Sequence, residues 1–295
     1  MYDIALSVGA CVRAGTRADV AWMIAPEVRD DALSFTPGGG RIGGMAGGAF
    51  DGMLGDAAER RLTFGRYVQH RVTEFEASAC GLAAGTAVAF LVVPAGQFPA
   101  RMWSMMLDRE PVAIVATRSG DEITEIHVQD AGQASQEHRA IIEAGQCAAF
   151  IQDDQIVTVL VPTPRLVVAG GGPIAEALAA QGRLLAWKVS TNSRPEAVAG
   201  LAATLTELDA IVVLGHDVES SSRCLMAALA SQAGYIGAVG SKAMQQSRAD
   251  WLAYQDVTDL RRVHGPAGMD IQARNPAEVA VAIVAEILAG RAKAS

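Results

Sequence analysis

The stretch Arg165-Leu-Val-Val-Ala-Gly-Gly-Gly-Pro-Ile-Ala175, continuing helically through residue 181, sets an apolar run, a glycine triplet and a helix start in immediate succession. That order leaves few folds open. A strand must deliver the chain into a tight turn, and a helix must start directly over the turn, which is the opening of a nucleotide-binding Rossmann unit. Gly170, Gly172 and Ala175 fall at the G-x-G-x-x-A spacing. The first glycine allows the turn, the second lets backbone approach a phosphate, and the small third residue lets the helix pack on the strand. Backbone N–H groups at such a helix start point at whatever anion binds there. Taken alone, a glycine triplet is equally compatible with a plain loop, so the residues that follow carry the decision.

From residue 165 onward, strand-like runs (165–169, 184–189, 210–214 and 235–239) alternate with helical stretches (174–181, 195–205, 222–232, 241–254 and 277–288). Alternation of this kind specifies an α/β unit, a doubly wound parallel sheet covered on both faces. Ligands of such sheets bind beyond the carboxyl ends of the strands, where the order of connection reverses. Three predicted strands end in groups suited to polar or anionic ligands: Gly170-Gly171-Gly172 ahead of Pro173, Gly215-His216-Asp217, and Gly240-Ser241-Lys242. They are expected to converge on one crevice. Each also has a plainer reading: Ser220, Ser221 and Ser222 as an N-cap cluster, His216 as a hydrogen-bonded loop histidine, and Lys242 as a solvated side chain rather than a phosphate partner.

Residues 1–150 read differently. Short apolar runs at 18–24, 86–93 and 112–117 and helical patterns at 51–62 and 100–107 predict a mixed α+β domain. Its glycine-rich segment 36–49 is either a hairpin with glycine turns or a loop presenting backbone N–H groups to a ligand. Residues 132–145 predict a helical connection, and 153–161 a last strand before the Pro162-Thr-Pro164 hinge. The expected organisation is an N-terminal α+β domain at 1–150, a connecting strand and hinge at 151–164, and a Rossmann-like domain at 165–295.

Composition narrows the partners. A net charge of -8 argues against nucleic acid, whose phosphates need clustered Lys and Arg. No apolar run approaches the roughly 20 residues of a membrane span. The start Met1-Tyr-Asp-Ile lacks the basic region of a signal peptide, so a cytoplasmic location is expected. The four cysteines Cys11, Cys80, Cys147 and Cys224 show no metal-ligand spacing and read as reduced thiols. Met102, Met105 and Met106 offer thioethers to copper(I), or simply fill a core.

Several C-terminal segments resemble the XdhC/CoxI family of molybdenum-enzyme maturation factors. They are Gly215-His-Asp217, Arg223-Cys-Leu-Met-Ala-Ala-Leu229, Tyr235-Ile-Gly-Ala-Val-Gly-Ser-Lys242, and 262–282 with its prolines and glycines at Pro266, Gly268 and Pro276. The resemblance covers nearly all of 165–290, and the N-terminal half is similar more loosely around Gly47-Gly48 and Gly81-Leu82. It implies a cytoplasmic, homodimeric, non-catalytic chaperone. Such a chaperone binds the molybdenum cofactor, a pterin with a mononucleotide or dinucleotide tail, and assists its sulfuration or insertion into a xanthine dehydrogenase-like or carbon monoxide dehydrogenase-like hydroxylase. The target hydroxylase, a cysteine desulfurase and other maturation proteins are the implied partners. Carried over by position, Gly170, Gly171, Gly172, Pro173, Asn192, His216, Asp217, Gly240, Ser241, Lys242, Asp270 and Arg274 surround the ligand. The resemblance implies a divergent member. Ala49 and Ala84 stand where family members often carry cysteine, with Cys80 nearby, and Asn192-Ser193 stands where an acidic residue normally precedes Arg194-Pro195. Two alternatives stay open: an NAD(P)-dependent oxidoreductase sharing the glycine fingerprint, with a nucleotide or flavin as ligand, and a copper(I) insertion factor using Met102, Met105, Met106 or Cys80.

Overall fold

Val167, Ala169, Ile211 and Val213 point to one side of a sheet while Leu166, Val168, Ala210 and Val212 point to the other, and all are buried. A strand apolar on both faces is stable only between two helical layers, and the C-terminal part of the chain builds that arrangement. The computed structural model describes residues 1–28, 30–59 and 62–294, and the chain divides between Pro162 and Thr163 into two units.

The N-terminal unit runs α1 (Ala5–Arg13), β1 (Asp19–Ala25), β2 (Ala32–Thr36), β3 (Gly40–Gly44), α2 (Asp51–Glu59), β4 (Gly65–Arg71), α3 (Glu74–Cys80), β5 (Ala87–Pro94), α4 (Ala100–Leu107), β6 (Val112–Ser119), β7 (Glu122–Asp130), α5 (Gln136–Glu143), β8 (Ala148–Gln152) and β9 (Gln155–Leu160). Among the described residues it is a nine-stranded sheet of order β3-β2-β1-β5-β4-β7-β6-β9-β8 with every neighbouring pair antiparallel. The sheet curls over its largest core, so that Trp22 of β1 donates its indole N–H to Thr158 of β9 at 3.3 Å although the two strands lie far apart in the order. Met102, Met105 and Met106 of α4 are buried in that core, whereas Cys80 packs against a separate one built on Phe50, Leu54 and Phe90. The methionines are core residues, as the plainer reading has them, and share no cluster with Cys80.

One boundary changes here and one open reading closes. The strand expected before the hinge is present as β9, but it belongs to the N-terminal unit and not to a connecting segment, lying inside the sheet between β6 and β8 with Ile156, Val157, Val159 and Leu160 all buried. The segment 36–49 is the hairpin, with Thr36 paired to Gly40 across the turn, followed by a short turn of 3-10 helix and α2. Residues 60 and 61 of the predicted helix 51–62 lie outside the described residues.

The C-terminal unit runs β10 (Arg165–Ala169), α6 (Pro173–Leu184), β11 (Lys188–Asn192), α7 (Pro195–Ala202), β12 (Ala210–Val213), α8 (Val218–Leu229), β13 (Tyr235–Ala238), α9 (Lys242–Tyr254), β14 (Val263–His264) and α10 (Pro276–Ala294). Its strands form a parallel sheet of order β11-β10-β12-β13-β14. Leu178 of α6 and Ile283 of α10 close one face, and Val198 of α7, Leu225 of α8 and Leu252 of α9 close the other. Each such side chain removed from water contributes about 1.5–3 kcal/mol. The chain steps outward from β10 to β11 and then returns past β10 to β12. The order therefore reverses between β10 and β12, where the ends of two adjacent strands splay apart and leave a crevice.

Candidate functional site

Register fixes which residues share the crevice edge. Asn192, Ala169, Val213 and Ala238 lie side by side across β11, β10, β12 and β13. The residues just beyond them, Gly170, Leu214-Gly215 and Val239-Gly240, accordingly fall along one edge. Backbone bonds continue the alignment past the strands: Gly170 N–H donates to Asn192 at 2.8 Å, Leu214 N–H to Ala169 at 2.8 Å, and Val239 N–H to Val213 at 2.9 Å. The glycine turn and the segments 215–217 and 240–242 are thus brought to the same edge.

At the turn itself, Gly170 has φ +139° and lies so close to the next strand end that a Cβ there would stand 2.7 Å from Leu214 Cβ. Gly171 and Gly172 are exposed with open space beside them, and Gly172, at φ +89°, is the N-cap of α6. Pro173 takes the first helical position, where its missing N–H costs nothing and its fixed φ suits the helix. Ala175 is buried against β10, as the small residue of the fingerprint must be. No side chain caps α6, so the amides of its first turn stay free with the positive end of the helix dipole behind them.

Two of the neighbouring helix starts, those of α8 and α9, are closed, whereas α7 also starts without a side-chain cap. Asp217 caps α8, its carboxylate accepting from Ser220 N–H at 2.7 Å, and Ser241 caps α9, accepting from Met244 N–H at 3.2 Å. The cap of α8 is therefore Asp217 and not the serine cluster, since those serines lie inside the first turn. A carboxylate already bonded to its own helix repels an anion there, so Asp217 frames the crevice rather than receiving a phosphate. Asn192 is likewise engaged, its side-chain oxygen accepting from Arg194 N–H at 3.0 Å. His216 and Lys242 are exposed. Asp270 and Arg274 stand in the 265–275 loop and bond locally, Asp270 accepting from Gln272 N–H at 3.3 Å and Arg274 N–H donating to Glu278.

A residue that sequence patterning did not mark holds this edge together. Arg248 of α9 is 1% exposed. Its guanidinium donates to the Gly215 carbonyl at 2.8 Å, the Val239 carbonyl at 2.8 Å, Ser221 Oγ at 2.9 Å and Gln245 Oε1 at 3.3 Å. Among the described residues it makes no ion pair, and burial pulls its pKa below the ordinary arginine value. One side chain thereby ties the ends of β12 and β13 to α8 and α9. Cys224, the cysteine of this unit, is buried under α8, and burial raises its thiol pKa, which keeps it protonated and unreactive.

A doubly wound parallel sheet, with a glycine turn leading into an uncapped helix start at the point where the strand order reverses, defines a Rossmann-type domain. Residues 166–287 match the family described as the XdhC Rossmann domain, and the C-terminal unit is accordingly a Rossmann domain of the XdhC family. Among solved structures, the chain is similar to one described as a xanthine dehydrogenase from Bacillus halodurans, with 17% identity, 100% of this chain and 97% of that chain covered, and a TM-score of 0.47. No curated protein matches the chain.

Proposed function

We propose that this protein is a maturation factor for a molybdenum hydroxylase of the xanthine dehydrogenase or carbon monoxide dehydrogenase type, and that it holds the molybdenum cofactor by its phosphate-bearing tail. The observation that carries this reading is the uncapped first turn of α6 beside the open Gly171 and Gly172. Free amides at a helix N-terminus, approached over residues without side chains, suit a phosphate or a pyrophosphate. The fit covers the tail alone. Among the described residues of this unit the single thiol is buried, so what this unit offers is a cradle for phosphate and no exposed thiol for the metal end. When bound, the cofactor brings the pterin that carries the metal. The protein binds, orients and shields it, while sulfuration and insertion fall to a desulfurase and the client enzyme.

A nicotinamide-dependent oxidoreductase would use the same turn. It needs an acidic group at the end of β11 for the ribose hydroxyls, and there Asn192 stands with its oxygen already bonded to Arg194 N–H. The discriminating experiment is mass spectrometry of small molecules released from protein made in a host that synthesises the cofactor, with Gly171→Val in parallel. Gly171 has an unstrained backbone and open space around it, so the variant folds while filling the cradle. A pterin nucleotide from the wild type, absent from the variant, is the expected result. NAD(P) or flavin in its place would overturn the reading, as would a pterin retained by the variant.

A further inference from the structure

A cavity of about 410 Å³ opens on the α8–α9 side of the C-terminal sheet, lined by Leu225, Lys242, Gln246, Arg248, Leu252 and Pro266 among others. Gly170, Gly171, Gly172, Asn192 and His216 are not part of its wall. Its lining is apolar residues with two cations and two carboxamides, and no carboxylate. The volume lies within the roughly 300–1,000 Å³ of small-molecule sites, which combine apolar walls with a few placed polar groups.

We infer that this cavity is a second binding site, separate from the glycine turn, for an organic phosphate of nucleoside monophosphate size. The charge balance makes the first part of the argument. A buried guanidinium is costly without a counter-charge, and Arg248 has only neutral acceptors for company. Lys242, exposed and without an ion pair among the described residues, lines the same cavity, so two positive groups and no carboxylate share its wall. An anion in the cavity supplies what both lack.

Size and the division of labour among the side chains carry the second part. Inorganic phosphate would leave most of the space empty against Leu225, Leu252 and Pro266, which call for a flat apolar body. Gln245 is committed to the fold, its amide nitrogen donating to the Ala238 carbonyl at 2.9 Å. Gln246 donates to Asp250 at 2.8 Å, and its carbonyl remains for the edge of a heterocycle. Lys242 therefore takes the phosphate, Gln246 the base edge, and Arg248 sets the field from beneath.

Isothermal titration with AMP, GMP and CMP in turn, and with inorganic phosphate, tests the site on the full chain. At least one nucleotide is expected to bind, with inorganic phosphate about tenfold weaker or more. Lys242→Ala, and Ala249→Leu, which fills the cavity from a half-buried helix position, each lower nucleotide affinity at least about tenfold at unchanged Tm. Gly171→Val leaves it intact, so this result stands or falls apart from the cofactor reading. No binding by any nucleotide, equal binding of inorganic phosphate, or nucleotide binding that is lost in Gly171→Val and kept in Ala249→Leu would each overturn the inference.

Discussion

Gly170 and Gly171 are neighbours in one turn, yet a methyl group means opposite things at the two positions. At Gly170 the added carbon meets Leu214 Cβ at 2.7 Å and Leu214 O at 3.1 Å, on a backbone at φ +139° that other residues rarely adopt. At Gly171 it meets nothing within 4 Å. Gly170→Ala is expected to destabilise the protein by about 1–3 kcal/mol, and Gly171→Ala to stay within about 0.5 kcal/mol. Urea denaturation of both variants checks this, and equal losses would mean that the turn does not depend on the close approach of β10 to Leu214. Spacing alone marked these glycines, because a βα turn near a phosphate restricts residue type position by position. Arg248 left no such mark. An arginine on an amphipathic helix reads as a solvated charge whose stem snorkels, and its burial follows from where the ends of β12 and β13 lie, which no local pattern records. For the same reason the capping bond from the Ser220 amide to Asp217 Oδ1 left no mark in the sequence.

At the scale of elements, α10 is fastened to β13, β14 and the loop before it through one carboxylate. Glu286 accepts from Tyr235 Oη at 2.6 Å, from Gly268 N–H at 2.7 Å and from His264 Nδ1 at 3.1 Å, with the Tyr235 and His264 rings stacked 4.7 Å apart. Burial works to raise the Glu286 pKa, but the bonds from Tyr235, Gly268 and His264 outweigh it and hold the carboxyl below its ordinary value. A depressed carboxyl pKa contributes stability that is complete above the unfolded value and is lost as pH falls through the folded one. The contribution should therefore fade below the ordinary glutamate pKa of about 4.3. Glu286→Gln keeps the shape but not the charge, so its Tm is expected below the wild type at pH 7, with the gap closing as pH drops toward about 3. Thermal melts from pH 7 to 3 give the answer, and a gap that stays constant with pH would show that the carboxylate charge contributes nothing. Strands β10, β12 and β13 were legible because parallel strands buried on both faces are continuous apolar runs. Strand β11, Lys188–Asn192 with no buried position, lies later than the expected 184–189, and the two-residue β14 left no run to read. Strand β4, Gly65–Arg71, and strand β7, Glu122–Asp130, mix buried with exposed positions. Their sequences are too polar to stand out, and only pairing within the curled sheet makes them strands.

The whole molecule is two units, each with buried clusters of its own, that divide at Pro162–Thr163. The buried clusters of the N-terminal unit draw on residues up to Val161, and those of the C-terminal unit on Leu166 through Ile287, with no residue shared. A unit of this size that closes both faces of its sheet with its own helices has the core it needs to fold by itself. Residues 163–295 produced alone are therefore expected to unfold in one cooperative transition. Because the glycine turn, Arg248 and the 410 Å³ cavity all belong to that unit, the fragment should also bind the same nucleotide as the full chain, within about threefold in Kd, a difference well under the 1.4 kcal/mol of a tenfold change. Calorimetry and titration on the fragment measure both. A fragment that folds cooperatively but loses the nucleotide would mean that the N-terminal unit supplies part of the recognition, and a fragment without a cooperative transition would mean that the two cores are not independent.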